Sequence, residues 1–320
     1  MATLVEAYLE RLGLPAACLA DGPTLPLLET LVEAHLATLP FSNLSQHLAG
    51  GDAAPSLSPS RLQEKLLARR HGGNCFELNG LFALLLRDIG LETLLLQCRV
   101  WTGRERGNRG KPGYRRHPTH LLLLGNARFL VDVGFGEPPL GPLRYSVGEG
   151  SEQVTAEGMR SRMVQLGDGM VQLESWRDAG RDPWHVRASP SPATEAGWVP
   201  RLSWAEADVE LFGAAAAPCL ADFAAAQERC LAEGSTLRQK LVVCRLLREE
   251  KVTVAGTQLR ITSPRFKRGG RVPTQRVAEL GCTEGVRAAL LEHYCIPREE
   301  TSALQLDASV AAPGAWWRHL

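Results

Sequence analysis

Apolar residues recur at helical spacing through the first ninety positions. Leu4, Tyr8, Leu9 and Leu12 mark one helix face, and Leu27, Leu28, Leu31, Leu36 and Leu39 mark a second that ends at Pro40. Pro59-Ser60-Arg61 starts a third helix, which carries Leu62, Leu66 and Leu67 and is stopped by Gly72-Gly73. A fourth follows at once, with Phe76, Leu81, Phe82, Leu84, Leu85 and Ile89 on its apolar side. From Leu91 the pattern shortens. Runs at 94–96, 120–124, 128–133 and 170–174, separated by glycine or proline turns, read as strands of an antiparallel sheet. Pro183, Pro190, Pro192 and Pro200 mark an irregular linker. Beyond it come a helix over 221–233, strands over 241–246 and 252–261, and a helix over 284–293. This order predicts an α+β protein of three subdomains: residues 1–90 helical, 91–200 β, and 201–320 mixed, with a C-terminal tail whose Trp316 and Trp317 could dock on the body.

Composition narrows the function classes. The chain has 320 residues, is 44% apolar and 22% charged, and carries a net charge of +1, so nothing draws it as a whole to nucleic acid or to a membrane surface. The start, Met1 to Glu6, lacks the basic and apolar regions of a signal peptide, and no run approaches the ~20 apolar residues of a spanning helix. The expectation is a cytoplasmic protein. Eight cysteines without CxxC spacing argue for reduced thiols and against a disulfide framework or zinc, and no HxxxH or mixed His/Cys spacing points to another metal.

One cysteine has special surroundings. Cys75 stands where the glycine-broken string Arg69-Arg70-His71-Gly72-Gly73-Asn74 turns into an apolar helix. The unpaired N–H groups and positive dipole end at a helix start favour a thiolate over a thiol. A nucleophilic thiolate needs a base and a group to orient it. The hairpin 120–132 offers both. If Gly125-Asn126-Ala127 forms a three-residue loop, Leu124 pairs with Arg128 and His120 with Asp132, on one face with Cβ atoms about 4.5–5.5 Å apart. A two-residue Gly-Asn turn would instead put His120 and Asp132 on opposite faces. His117, three residues earlier, beside Pro118 and a basic loop, is the rival base; His120 is preferred because it sits inside an apolar run.

These residues carry a resemblance to a known family. Gly73-Asn74-Cys75-Phe76-Glu77-Leu78-Asn79-Gly80, Thr119-His120-Leu121, and Val131-Asp132-Val133-Gly134-Phe135-Gly136 resemble, in order, three motifs of the arylamine N-acetyltransferases. Tyr8 to Gly13, Leu39 to Leu44 and Leu237 to Val243 extend the likeness over roughly residues 5 to 295. The resemblance implies a helical bundle, an antiparallel β-barrel and an α/β lid around a papain-like Cys-His-Asp core, with Cys75, His120 and Asp132 as the triad. It implies ping-pong transfer of an acetyl group from acetyl-CoA, through an acetyl-cysteine, to an arylamine, arylhydrazine or N-hydroxyarylamine, with no metal. Phe135, between Gly134 and Gly136, would help line the pocket for a flat aromatic acceptor.

CoA brings phosphates, and the sequence has no P-loop or GxGxxG to receive them. Cations must do so. The stretch 103–116 holds Arg104, Arg106, Arg109, Lys111, Arg115 and Arg116 against Glu105, and a second basic loop holds Arg265, Lys267, Arg268 and Arg271. The chain also departs from the family. Ser42 and His71 stand where relatives carry a Glu and an Arg that pair beside the nucleophile. Their joint replacement is expected to be compensatory, with Ser42 and His71 hydrogen-bonded and Arg11 turned to another partner. Three other readings stay open at this stage. One is an amide synthase of the same family acting on a carrier-bound polyketide chain. The others are a cysteine hydrolase and a binding protein that has lost catalysis.

Overall fold

A computed structural model of the chain describes residues 3–48, 56–101, 116–177, 196–232, 234–264 and 273–306. Four helical segments open it. Helix α1 (Leu4–Leu12) is capped by Thr3 in a capping box with Glu6 and closed by Gly13 at φ +70°. Helix α2 (Leu25–Thr38) starts on Thr24, whose hydroxyl accepts from Leu27 N–H. Helix α3 (Pro59–Leu62) runs into a π-helical stretch, Gln63–Ala68, and α4 spans Cys75–Asp88. The apolar stripes read from the sequence meet in one core, where Tyr8, Leu28, Leu31, Leu62, Leu66, Leu81, Phe82 and Leu85 are fully buried.

The β region is an eight-stranded antiparallel sheet. Its strands are β2 (Thr93–Val100), β3 (Arg116–Leu124), β4 (Ala127–Val131), β5 (Leu143–Arg144), β6 (Gln153–Val154), β7 (Arg160–Gln165), β8 (Met170–Arg177) and β9 (Gly197–Ala205), preceded in the chain by a two-residue strand β1 (Phe41–Ser42). The spatial order is β5-β4-β3-β2-β9-β8-β7-β6. The two edge strands are stitched by one side chain. The Gln153 carboxamide accepts from Arg144 N–H at 2.7 Å and donates to Arg144 C=O at 2.8 Å, as a strand partner would. The sheet is thereby nearly closed into a barrel, filled by Leu94, Leu96, Cys98, Leu121, Leu130, Met163, Leu173, Leu202 and Trp204. Position 200, where the sequence pattern changes, lies inside β9 and therefore within this sheet.

A second sheet, ordered β1-β10-β11-β12-β13, joins the N-terminal part to the last third. Here β10 is Val242–Leu246, β11 Lys251–Ala255, β12 Gln258–Ser263 and β13 Thr274–Glu279. The run 252–261, read as one strand, is two strands folded at Gly256-Thr257. The helix expected over 221–233 is shorter: a 3₁₀ turn, Leu220–Phe223, leads into Ala224–Cys230. The expected last helix is present as Thr283–Tyr294 and packs Val286, Leu290 and Tyr294 on the sheet. No helix among the described residues is long and apolar enough to cross a membrane. Trp316, Trp317 and most of the proline-rich stretch lie outside the described residues.

Candidate active site

Cys75 is the first residue of α4, partly exposed. The helix start is built by its neighbours. The Asn74 carboxamide oxygen accepts from Phe76 N–H at 3.0 Å and Glu77 N–H at 3.1 Å, and the Glu77 carboxylate accepts from Asn74 N–H at 2.9 Å. Lys65 from the π-helical stretch reaches the other oxygen of that buried carboxylate at 2.7 Å. This cap fixes the backbone at the entry of Cys75 into α4, and the dipole end there favours a thiolate.

One turn on, Asn79 is wholly buried and ties α4 to the barrel. Its amide donates to Pro118 C=O at 2.8 Å and to Asp132 Oδ1 at 3.1 Å, and its oxygen accepts from Val133 N–H at 3.1 Å. Asp132, just past the end of β4, also accepts from Gly134 N–H, Phe135 N–H and Thr119 Oγ1. Its remaining partner is His117, whose Nε2 lies 2.5 Å from Oδ2. Burial pushes the Asp132 carboxyl up, but His117 and these donors outweigh it and hold the group below its ordinary value. Gly134 closes the arrangement. A Cβ there would lie 2.8 Å from both Cα and the carbonyl oxygen of Cys75 and 2.7 Å from Asn79 Nδ2. Only a glycine lets the 132–136 turn lie directly on the backbone of Cys75.

The histidine that meets Asp132 is not the one expected. The hairpin loop has two residues, with Gly125 at φ +60° and Leu124 paired with Ala127, so the register puts His120 opposite Val131 instead of Asp132. A one-residue change of register turns the side chain to the other face. His120 lies on the helix side of β3, fully buried, with Nδ1 3.2 Å from Thr93 Oγ1 and its ring edge-on to Phe82. Burial lowers its pKa to about 4. It is a neutral core histidine. His117 and Thr119, on the opposite face of β3, both reach Asp132. The signal for this was present in the sequence: glycine at the first position of Gly125-Asn126 is what a two-residue type II′ turn requires.

Phe135 meets His117 edge-on at 5.4 Å between ring centroids, and the Arg201 guanidinium lies over its ring at 5.1 Å from the centroid. Asp132, Phe135, Arg201, Met159, Leu173 and Leu202 help line a cleft. Gly134 packs on Cys75, and Gly136 offers its carbonyl to Cys244 Sγ at 3.7 Å. Sequence reasoning missed Asn79 as the tie and Arg201 as a cleft residue; the latter lies 66 positions past Phe135, beyond any local pattern. Arg104, Arg106, Arg109 and the second basic loop at 265–271 lie outside the described residues. Among the described residues no cluster of His, Cys, Asp or Glu could hold a metal ion.

The expected Ser42–His71 hydrogen bond is replaced by two separate contacts. Ser42 Oγ accepts from Leu44 N–H at 3.1 Å, while His71 Nε2 lies 2.6 Å from Glu300 Oε2. Arg11 does find another partner, the Thr38 carbonyl at 2.8 Å.

A sequence profile of the N-acetyltransferase family matches residues 24–281. Arylamine N-acetyltransferase of Mycobacterium tuberculosis is 37% identical over 156 residues, which are 46% of this chain and 51% of that protein. The arylamine N-acetyltransferase / N-hydroxyarylamine O-acetyltransferase of Salmonella typhimurium is 40% identical over 149 residues, 45% of this chain and 48% of that protein. The chain thus spans about half the length of the curated relatives it matches. The solved structure of Mycobacterium marinum arylamine N-acetyltransferase in complex with CoA shares the fold, with a TM-score of 0.68 and 23% identity, covering 92% of this chain and 96% of that one.

Proposed function

The chain belongs to the N-acetyltransferase family, and from that premise we propose that it transfers an acetyl group from acetyl-CoA to an arylamine, arylhydrazine or N-hydroxyarylamine. Cys75 is the nucleophile, His117 the base and Asp132 the group that orients it, in a papain-like arrangement. The observation that carries this reading is the His117–Asp132 contact, held against the Cys75 helix by Asn79. The imidazole uses Nε2 on the carboxylate, which leaves Nδ1 for the proton of the thiol.

The reaction divides into two half-reactions. The Cys75 thiolate attacks the thioester carbonyl of acetyl-CoA; the tetrahedral oxyanion is met by the backbone N–H of Cys75, and the CoA thiolate departs with the proton held by His117. One thioester has replaced another, so little free energy is lost and the acetyl group is stored. An amine nitrogen then attacks the acetyl-cysteine, His117 accepts its proton, and the amide leaves as the thiolate is regenerated. Asp132 stays ionised throughout: it holds the imidazolium that pairs with the thiolate, and between the half-reactions it keeps the neutral ring oriented to accept the amine proton. The cleft beside Phe135 takes the flat aromatic acceptor, and the basic stretch at 104–109 meets the CoA phosphates.

Initial rates at several fixed arylamine concentrations test the scheme. Parallel double-reciprocal lines against acetyl-CoA support a covalent intermediate formed before the amine binds. Intersecting lines, with both substrates needed before CoA release, count against it. Charge reversal at Arg104, Arg106 and Arg109 should raise KM for acetyl-CoA and leave KM for the amine unchanged.

A further inference from the structure

The loop that presents Cys75 is bent at one residue that has no glycine to ease it. Arg70 sits at φ +59°, a conformation that a side chain bearing a Cβ adopts only under constraint from its surroundings. The next glycine, Gly72, is also left-handed, at φ +68°, and is wedged so closely between Pro40 and Ser42 that a Cβ would lie 2.9 Å from Ser42 Cβ. Hydrogen bonds from Ser42 N–H to Gly73 C=O and from Gly73 N–H to Pro40 C=O fix the far side of the bend. Its near side is held from elsewhere in the chain. One carboxylate oxygen of Glu300 accepts from Arg69 Nε at 2.9 Å and lies 2.6 Å from His71 Nε2, so a single atom brackets Arg70 on both sides.

Glu300 is well placed to bear load. It belongs to a short turn of helix, Arg298–Thr301, whose exit is gripped by Arg287: the guanidinium donates to the carbonyls of Thr301, Ser302 and Leu304. Leu304 in turn bridges to Leu48. Glu300 also lies beyond residues 24–281, the part of the chain that matches the family profile. The carboxylate that meets His71 thus comes from the C-terminal segment.

We propose that Glu300 is a positioning residue for the nucleophile: its carboxylate clasps Arg69 and His71, holds the left-handed bend at Arg70, and so sets the entry of Asn74 and Cys75 into α4. The inference rests on Cys75 being the nucleophile. Around His71 the facing charged groups are Glu300, Arg69 and Lys65, whose carbonyl also accepts from His71 N–H. Burial keeps His71 below its ordinary pKa, so at neutral pH it joins the clasp as a neutral donor.

The test uses the full-length enzyme with E300Q, E300A, R70G and the E300A/R70G double variant. Two rates are read: acetyl transfer, and alkylation of Cys75 by iodoacetamide followed by peptide mass spectrometry, which does not depend on any acyl substrate. E300A should lower kcat and the alkylation rate by about tenfold, with KM for the amine changed less than about twofold, because a small displacement of the thiol misaligns it with His117. E300Q, which keeps an acceptor but not the charge, should fall between. Glycine adopts φ near +60° freely, so R70G alone should change kcat by less than about twofold, and R70G should recover at least about threefold of the E300A loss. Cys75 alkylation in E300A within twofold of wild type overturns the proposal even if acetyl transfer is absent altogether. A loss in E300A that R70G leaves untouched, or that E300Q reproduces only as a lower melting temperature, overturns it as well.

Discussion

Which histidine meets Asp132 turns on a single residue of loop length. His117 and His120 lie three apart on one strand, and the register places the first on Asp132 and the second against Thr93 and Phe82. Replacing His117 with Asn should lower kcat/KM by at least about 10³-fold, the range for loss of a catalytic base, without altering the fold. His120→Gln should leave kcat within a few-fold and cost about 1 kcal/mol of stability, through the lost contact to Thr93. Steady-state rates and urea unfolding of the two variants, side by side, separate the roles. His120 also governs acid behaviour together with His35, which pairs with Tyr8 OH at 2.5 Å. Burial lowers their pKa values to about 4 and about 3, below the ~6.5 of an unfolded chain. Both bind fewer protons folded than unfolded. Their contribution is therefore complete above pH 6.5 and is lost as pH falls toward 4, by on the order of 1 kcal/mol per histidine per pH unit. Urea unfolding free energies that stay flat from pH 7 to pH 5 would contradict this. Cys75 and Asp132 stood out in the sequence through the motif strings around them. The identity of the histidine did not, because an apolar run accounts equally well for a core histidine and a catalytic one, and only the turn type decides.

Among the elements, α4 and the 132–136 turn are bound into one unit. The cap at Asn74 orients Cys75, Asn79 reaches Pro118 and Asp132, and Gly134 lies on the Cys75 backbone. Gly134→Ala should therefore be among the most damaging small substitutions in the chain. Its methyl group meets backbone atoms that cannot move without shifting the thiol, so activity should fall by about 10²-fold or more with the secondary structure intact. Near-wild-type kcat in a folded Gly134→Ala protein, checked by circular dichroism, would show that the turn does not rest on α4 as described. Elements with a strong apolar period were legible: α1, α2, α4, the strands around 94–96, 120–124 and 242–246, and the helix over 283–294. Those without one were not. Strand β13, Thr274–Glu279, is exposed along its whole length and so has no alternation to read, and β1 is only two residues long. The π-helical stretch 63–68 hides because it keeps Leu66 and Leu67 buried as an α-helix would.

At the scale of the molecule, the site is assembled from distant parts of the chain. The N-terminal helices supply the thiol, the barrel supplies His117 and Asp132, and the C-terminal segment reaches back through Glu300 to the loop that precedes Cys75. The sheet that pairs β1 with β10 fastens the last third to the first. Sequence periodicity showed the succession of helical, β and mixed regions, but not these ties, since ion pairs and two-residue strands leave no periodic trace. The central claim is that Cys75 carries an acetyl group between two substrates. Intact-mass spectrometry after brief incubation with acetyl-CoA tests it directly. The account predicts an adduct of roughly 42 Da, an acetyl group in place of a proton, mapped to the Cys75 peptide and discharged on adding an arylamine. No adduct on Cys75 in the wild-type protein, or an adduct of the same mass that persists in Cys75→Ser, would contradict it.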